Sequence, residues 1–251
     1  MKLAALLLLC VYCFGQTSST SPGLTFAELS KAAKTYLRDS AEFPLKMHLS
    51  MTATNADGRI VKHDTAEGQL DFHGYNPRDD RANASIRVTT KGMFHSPKGM
   101  LPAAWNAFVA STVPADALLK DAPEKYSFEE IAVPDDGQYV AAKISRAQCS
   151  EFKWSSENSV PQTFCGSTQF RLQKDNLMLK HFSFDASALP IEATVKPFGS
   201  CRLLRYHVEA DFQEVTLAND PKPFLVPQKA EITVETDKGR LLMASQFEPG
   251  K

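Results

Sequence analysis

Residues 205–247 read RYHVEADFQEVTLANDPKPFLVPQKAEITVETDKGRLLMASQF. Taken in steps of two, Leu204, Tyr206, Val208, Ala210 and Phe212 fall on one side, while Arg205, His207, Glu209, Asp211 and Gln213 fall on the other. Successive side chains of a strand point to opposite faces, so this stretch predicts a sheet with one oily face and one wet face. The turns within it, LANDP and DKG, are short and rich in Asn, Asp and Gly, which suits antiparallel neighbours. Pro221, Pro223 and Pro227 place the start of its second strand at an edge or a bulge.

The same alternation recurs upstream. Leu45, Met47, Leu49, Met51 and Ala53 oppose Lys46, His48, Ser50, Thr52 and Thr54, and NADG at 55–58 leads by a hairpin into a strand over 59–72. A short strand around Ile86 and Val88 follows the Asn76–Pro77 turn. Further strands are expected over 139–145, 168–173, 177–184, 191–196, 203–217, 224–235 and 240–247, about ten in all. No β-α-β-α rhythm appears, which counts against a doubly wound parallel sheet.

Helix is sparse. Thr25 and Glu28 have capping-box spacing, Leu24 is placed to staple onto Leu29, and Phe26, Leu29, Ala33, Tyr36 and Leu37 form one apolar stripe. Between 96 and 123 the composition turns to Pro, Ala and Trp, with helical pieces over 102–109 and 114–120. Some ten strands with a single apolar side need cover, and these helices are too few to give all of it. The economical solution is mainly β: a curled antiparallel sheet, or half-barrel, wrapped around the N-terminal helix and the central helical segment.

The chain opens MKLAALLLLCVYCFG, a lysine followed by about a dozen apolar residues, which predicts a signal peptide over 1–15. That run is shorter than the roughly 20 residues a membrane-spanning helix needs. Residues 16–23 read as a polar linker and 24–251 as one domain, with no transmembrane segment in the mature chain. The expected location is the periplasm or outside the cell. Loss of the signal removes one cation, leaving 27 Lys and Arg against 29 Asp and Glu. Nothing in that balance favours nucleic acid or an anionic membrane by bulk charge. Cys149, Cys165 and Cys201 remain, in a compartment that permits disulfides. A Cys149–Cys165 bridge closes a loop of about 15 residues, worth roughly 3 kcal/mol in the chain-entropy model. Cys165–Cys201 is the competing pairing.

Catalytic signals are weak. No G-x-S-x-G occurs, and Gly166–Ser167 beside Cys165 reads as a turn flanked by a disulfide. Asp79–Asp80 and Asp135–Asp136 adjoin Pro or Gly and read as turn residues. His48 and His63 lie near the first hairpin, but a short loop at 55–58 makes them at most diagonal neighbours, so they are expected to be strand histidines facing solvent. No CxxC pair or neighbouring histidine gives the cysteines a metal reading. Asn83-Ala84-Ser85 has the spacing of a glycosylation acceptor, and Trp154 in EFKWSSEN reads as an exposed contact. No catalytic residue, metal or cofactor is expected, and the chain is read as a non-enzyme.

An N-terminal signal, an amphipathic helix, a first hairpin turning at NADGR, a central helical stretch, and a closing run YHVEADFQEV...FLVPQKAEITVETDKGRLLMASQF together resemble the periplasmic lipoprotein carriers of the LolA/LolB type. The resemblance is one of element order over most of the mature chain, strongest in the last fifty residues. It implies a half-barrel closed by helices, with a cavity for acyl chains. The chain departs from it by an insertion near 93–165 and by its three cysteines, and no single functional residue carries over.

Acyl-chain binding needs an adaptable apolar lining, and burial contributes about 0.8 kcal/mol per methylene. Met47, Met51, Phe170, Phe182, Phe184, Tyr206, Phe212 and Met243 have the right chemistry, methionine being pliant and the aromatics bulky. The expectation is an exported carrier or sensor of a lipid or lipoprotein acyl chain. The alternative is an envelope protein-interaction module on the same scaffold with its cavity filled.

Overall fold

The computed structural model describes residues 25–36, 43–75, 82–87, 126–131, 138–146, 153–155, 160–163, 166–217 and 220–250, with side chains described for 25–31, 44–69, 127, 129, 138–141, 143, 166–216 and 225–250. The signal peptide over 1–15, the linker over 16–23, the helical pieces between 96 and 123, Cys149 and Cys165 fall outside the described residues.

Helix α1 spans Phe26–Tyr36. Its start is fixed by the reciprocal bonds that the capping box supplies: Thr25 N donates to Glu28 Oε2 at 2.8 Å, and Glu28 N donates to Thr25 Oγ1 at 3.2 Å. Leu29 and Ser30 are buried, and α1 packs on strand β12 (Asp220–Thr236).

The strands preceding β12 are β1 (Phe43–Asn55), β2 (Ile60–Tyr75), β3 (Ala82–Arg87), β4 (Tyr126–Ile131), β5 (Tyr139–Arg146), β6 (Lys153–Ser155), β7 (Val160–Thr163), β8 (Gly166–Gln173), β9 (Leu179–Ala186), β10 (Ile191–Val195) and β11 (Gly199–Leu217). β13 (Gly239–Pro249) follows it. Among the described residues eleven strands form one antiparallel sheet in the order β3-β2-β1-β13-β12-β11-β9-β8-β5-β4, with β10 paired to the start of β11. β6 and β7 pair separately. The sheet is curled and unclosed, a half-barrel ending at β3 and β4. The first and last strands in the chain are neighbours within it, third and fourth from the β3 edge, paired from Leu45 opposite Pro249 to Asn55 opposite Gly239.

The long β11–β12 hairpin is the stretch quoted above. Val208 faces Ile232 and Ala210 faces Ala230, all buried, while His207 and Glu209 face Thr233 and Glu231 on the wetter side. Its prolines lie where a missing N–H costs least. β13 pairs with β12 only from Lys229 onward, so 220–228 have β11 as their one ladder neighbour among the described residues. The register shifts there, with Asp211 opposite Lys229 and Phe212 opposite Pro227, which leaves Gln228 as the bulged residue.

Some expectations change. Residues 126–131 form β4, which the sequence reading missed because two adjacent glutamates break the alternation of YSFEEI. The short β6 and β7 were not foreseen either. Gly166 and Ser167 begin β8 instead of forming a turn, opposite Ala186 and Asp185. A glycine suits this place because a Cβ at 166 would crowd the Asp185 carbonyl and come within 2.5 Å of the Phe184 ring. Leu177, expected in a strand, ends a tight loop at φ 55°, and β9 starts two residues later. Cys201 is buried and free, so the Cys165–Cys201 bridge is not made. His48 lies opposite Glu67 and His63 opposite Thr52, in separate places on the hairpin.

Candidate functional site

The concave face is built by register. One row of opposed side chains crosses the sheet from Thr168 through Phe184, Val208, Ile232 and Met243 to Met51. A second runs from Phe170 through Phe182, Ala210, Ala230 and Ser245 to Leu49 and Ala66. A third joins Tyr206, Val234, Leu241 and Ala53. These rows exist because side chains alternate along each strand and each register, between bulges, sets the apolar positions of one strand opposite those of the next. Each fully buried Phe, Leu, Ile or Val contributes about 1.5–3 kcal/mol over its exposed state.

All eight candidate lining residues lie in this layer. Met47, Phe170, Phe182, Phe184, Tyr206 and Phe212 are buried, and Met51 and Met243 are half-buried and packed against them. The aromatics form two pairs: Phe182 and Phe212 are tilted at a centroid distance of 5.8 Å, and Phe184 meets Tyr206 edge-on at 6.5 Å. Met47 stands apart from the Met51–Met243 pair, opposite Phe247 near the other end of β1.

The second row carries Ala210, Ala230 and Ser245 at its centre, small residues flanked by aromatics on one side and leucine on the other. The sequence reading placed Leu49 and Ala210 on the apolar side of their strands without naming them as lining residues, and it did not single out Ala66, Thr168, Ala230 or Ser245. Their parity along each strand was the available signal, and register was needed to align it. Thr168 is fully buried, and its Oγ1 has no hydrogen-bond partner among the described residues. At the β2 edge of the face polarity returns, where Lys62 and Asp64 stand opposite Ala53 and Met51 and pair at 2.9 Å.

The convex face carries several paired ionisable groups. His207 Nδ1 lies 2.7 Å from Asp185, His181 Nδ1 lies 2.8 Å from Asp211, and His48 Nδ1 lies 3.1 Å from Glu67. Arg205 bridges Asp185 and Glu235 at 3.9 and 3.6 Å. Such exposed pairs contribute about 0–1 kcal/mol each and keep this side wet. Among the described residues no three His, Cys, Asp or Glu side chains are grouped to hold a metal ion, and no helix is long and apolar enough to cross a membrane.

No family model matches the chain, and no curated protein matches it. Solved structures similar in fold include a LolA superfamily protein from Nitrosomonas europaea, at 10% identity and TM-score 0.36, covering 88% of this chain and 90% of that one. An outer membrane lipoprotein-sorting protein domain from Vibrio parahaemolyticus is similar at 12% identity and TM-score 0.34, covering 91% and 93%. A DUF1329 family protein from Desulfovibrio piger is similar at 10% identity and TM-score 0.34, covering 89% and 88%. Likeness at this level concerns the course of the chain and implies nothing about ligand or partner.

Proposed function

We propose that the protein is an exported, non-enzymatic carrier or sensor that holds an acyl chain of a lipid or lipoprotein against its concave face. The observation that carries this reading is the composition of that face: three apolar rows, pliant methionines at Met47, Met51 and Met243, and a central strip of small residues, on a sheet that does not close. Residues 1–15 act in it as the export signal and 24–251 as the working domain. The eight lining residues supply apolar contact, at about 0.8 kcal/mol per methylene buried. A chain of a dozen methylenes thus gains roughly 10 kcal/mol before the cost of immobilising it.

Native mass spectrometry of the exported protein, before and after lipid extraction, tests the reading. A mass excess that extraction removes, together with uptake of a fluorescent fatty acid by the stripped protein, is the expected result. A bare mass and no uptake refute it.

A second reading has its own support. Phe182 and Tyr206 are only 1% exposed and Phe184 2%, as in a packed core. On that reading the concavity is filled and the scaffold serves an envelope protein partner. Pull-down of a partner that survives delipidation, by a protein that takes up no fatty acid, favours it.

A further inference from the structure

We propose that the end of the sheet where three hairpin tips converge is a docking surface for an anionic lipid bilayer. This goes beyond acyl-chain binding and does not depend on it. The tips are residues 55–59 between β1 and β2, 237–238 between β12 and β13, and 196–198 between β10 and β11. They are joined into one rim. Asn55 is in register with Gly239, Arg202 N donates to Asp237 Oδ1 at 2.9 Å, and Asp237 N donates to Arg202 O at 3.1 Å. The Phe198 ring lies so near Gly239 that a Cβ at 239 would stand 2.9 Å from it.

Two properties single this rim out. The exposed large apolar side chains among the described residues all fall here: Ile60 at 67%, Val61 at 53% and Leu204 at 47% exposure. Val61 and Leu204 are bulged residues. The register passes from Ala53–Lys62 to Thr54–Ile60 and from Leu203–Thr236 to Arg205–Glu235, which skips each of them. A bulge re-aims side chains, so the backbone itself presents these aliphatics outward.

Charge is the second property. Residues 55–62, 196–204 and 236–240 carry six cations and two carboxylates, in a chain whose formal charge is -1. Lys62 and Arg202 pair with Asp64 and Glu192. Arg59, Lys196, Lys238 and Arg240 have no carboxylate partner among the described residues, and all four are exposed.

Aliphatic tips beside unpaired cations match an anionic bilayer surface, where the aliphatics enter the boundary of the acyl region and the cations meet lipid phosphates. A folded protein partner fits less well. β2 and β11 are separated by four strand spacings, roughly 19 Å in a flat sheet, so Ile60 and Leu204 do not form the compact buried centre that protein interfaces use. A membrane surface is broad enough to be reached by side chains that far apart.

Co-sedimentation of the full mature chain with vesicles tests this. Binding is expected to equimolar phosphatidylglycerol and phosphatidylcholine, and not to phosphatidylcholine alone, and it should weaken when salt rises from about 0.05 M to about 0.5 M. Each Lys or Arg near such a surface is worth about fivefold in partitioning, so Arg59→Glu with Lys238→Glu is expected to lower it by roughly tenfold or more. Ile60→Ser with Val61→Ser is expected to lower it as well, and both variants should keep the wild-type circular dichroism spectrum because all four side chains are exposed. Lys46→Glu with Lys229→Glu, at the other end of β1 and on β12, should bind as wild type.

Failure of the wild type to bind the anionic vesicles overturns the proposal. So does equal binding to pure phosphatidylcholine, or an equal loss in the rim and control variants. Retention on an immobilised acidic polypeptide without vesicle binding assigns the rim to a protein and also overturns it. Vesicle binding without fatty-acid uptake supports the docking rim and counts against the acyl-chain reading alone.

Discussion

Thr168→Val is expected to stabilise the protein. Thr168 is fully buried on β8, its register partners are Ile144 and Phe184, and its hydroxyl has no hydrogen-bond partner among the described residues. An uncompensated buried hydroxyl costs about 1–3 kcal/mol in folded proteins. Valine keeps the β-branched shape, so the strand preference is little changed. It exchanges the hydroxyl for a methyl group that fits an apolar row. The net gain should be about 1–2 kcal/mol, which in a chain of this size raises Tm by roughly 2–8 °C. Urea unfolding followed by circular dichroism is the assay, and the midpoint should rise with an unchanged m value. A loss of more than about 0.5 kcal/mol would refute the reasoning, since it would mean that the hydroxyl is satisfied and removing it strands a second group. Fatty-acid uptake by the same variant should equal that of the wild type, because the carrier reading gives this hydroxyl no part in holding the chain.

Three further outcomes are expected. Phe182→Ala removes a side chain that is 1% exposed and pairs with Phe212, and should cost about 3–5 kcal/mol, read as a lower urea midpoint; a cost under about 1 kcal/mol would show that the pair is not part of a packed layer. The Glu28 carboxyl is held below its ordinary range by the hydrogen bond from Thr25 N and then by that from Thr25 Oγ1. A lowered carboxyl stabilises the charged form, so the cap is intact above about pH 4.5 and weakens as pH falls through the lowered value. Protection factors for amides in the first turn of α1 should fall there in wild type and not in Glu28→Gln, and protection that stays flat down to about pH 2 contradicts this. Burial pushes the Cys201 thiol above its ordinary range, so Ellman's reagent should label it only on unfolding, with mass mapping finding Cys149 joined to Cys165; rapid labelling of the native protein at Cys201 contradicts the burial.

Much of the sheet was legible because one-sided burial writes itself into a strand as period two. β1, β11, β12 and β13 were bounded within a few residues, and the NADG turn was placed by Asn55 and by Gly58, whose φ of 79° suits glycine. Where two apolar residues stand adjacent, as at Ile60–Val61 and Leu203–Leu204, the period breaks, and the register slips by one at both. That signal was present and went unread. β4 was lost for a different reason: the Glu129–Glu130 step carries no face preference, and only the ladder to β5 identifies 126–131 as a strand. The lining residues were found one at a time by chemistry. Their arrangement in rows, and the small strip at Ala210, Ala230 and Ser245, depends on pairings between strands far apart in sequence, which alternation within a strand does not encode.

The loose ends at β3 and β4 bear on what such an interior can accept. A closed barrel has its girth set by strand number and stagger, so admitting a thicker guest means breaking ladder bonds. A sheet that stops short of closure can uncoil slightly, every strand keeping its neighbours, and the width beneath it becomes a soft coordinate. On the carrier reading, selectivity would then come from length and end-group chemistry more than from cross-section, and guests of unequal bulk would share one berth.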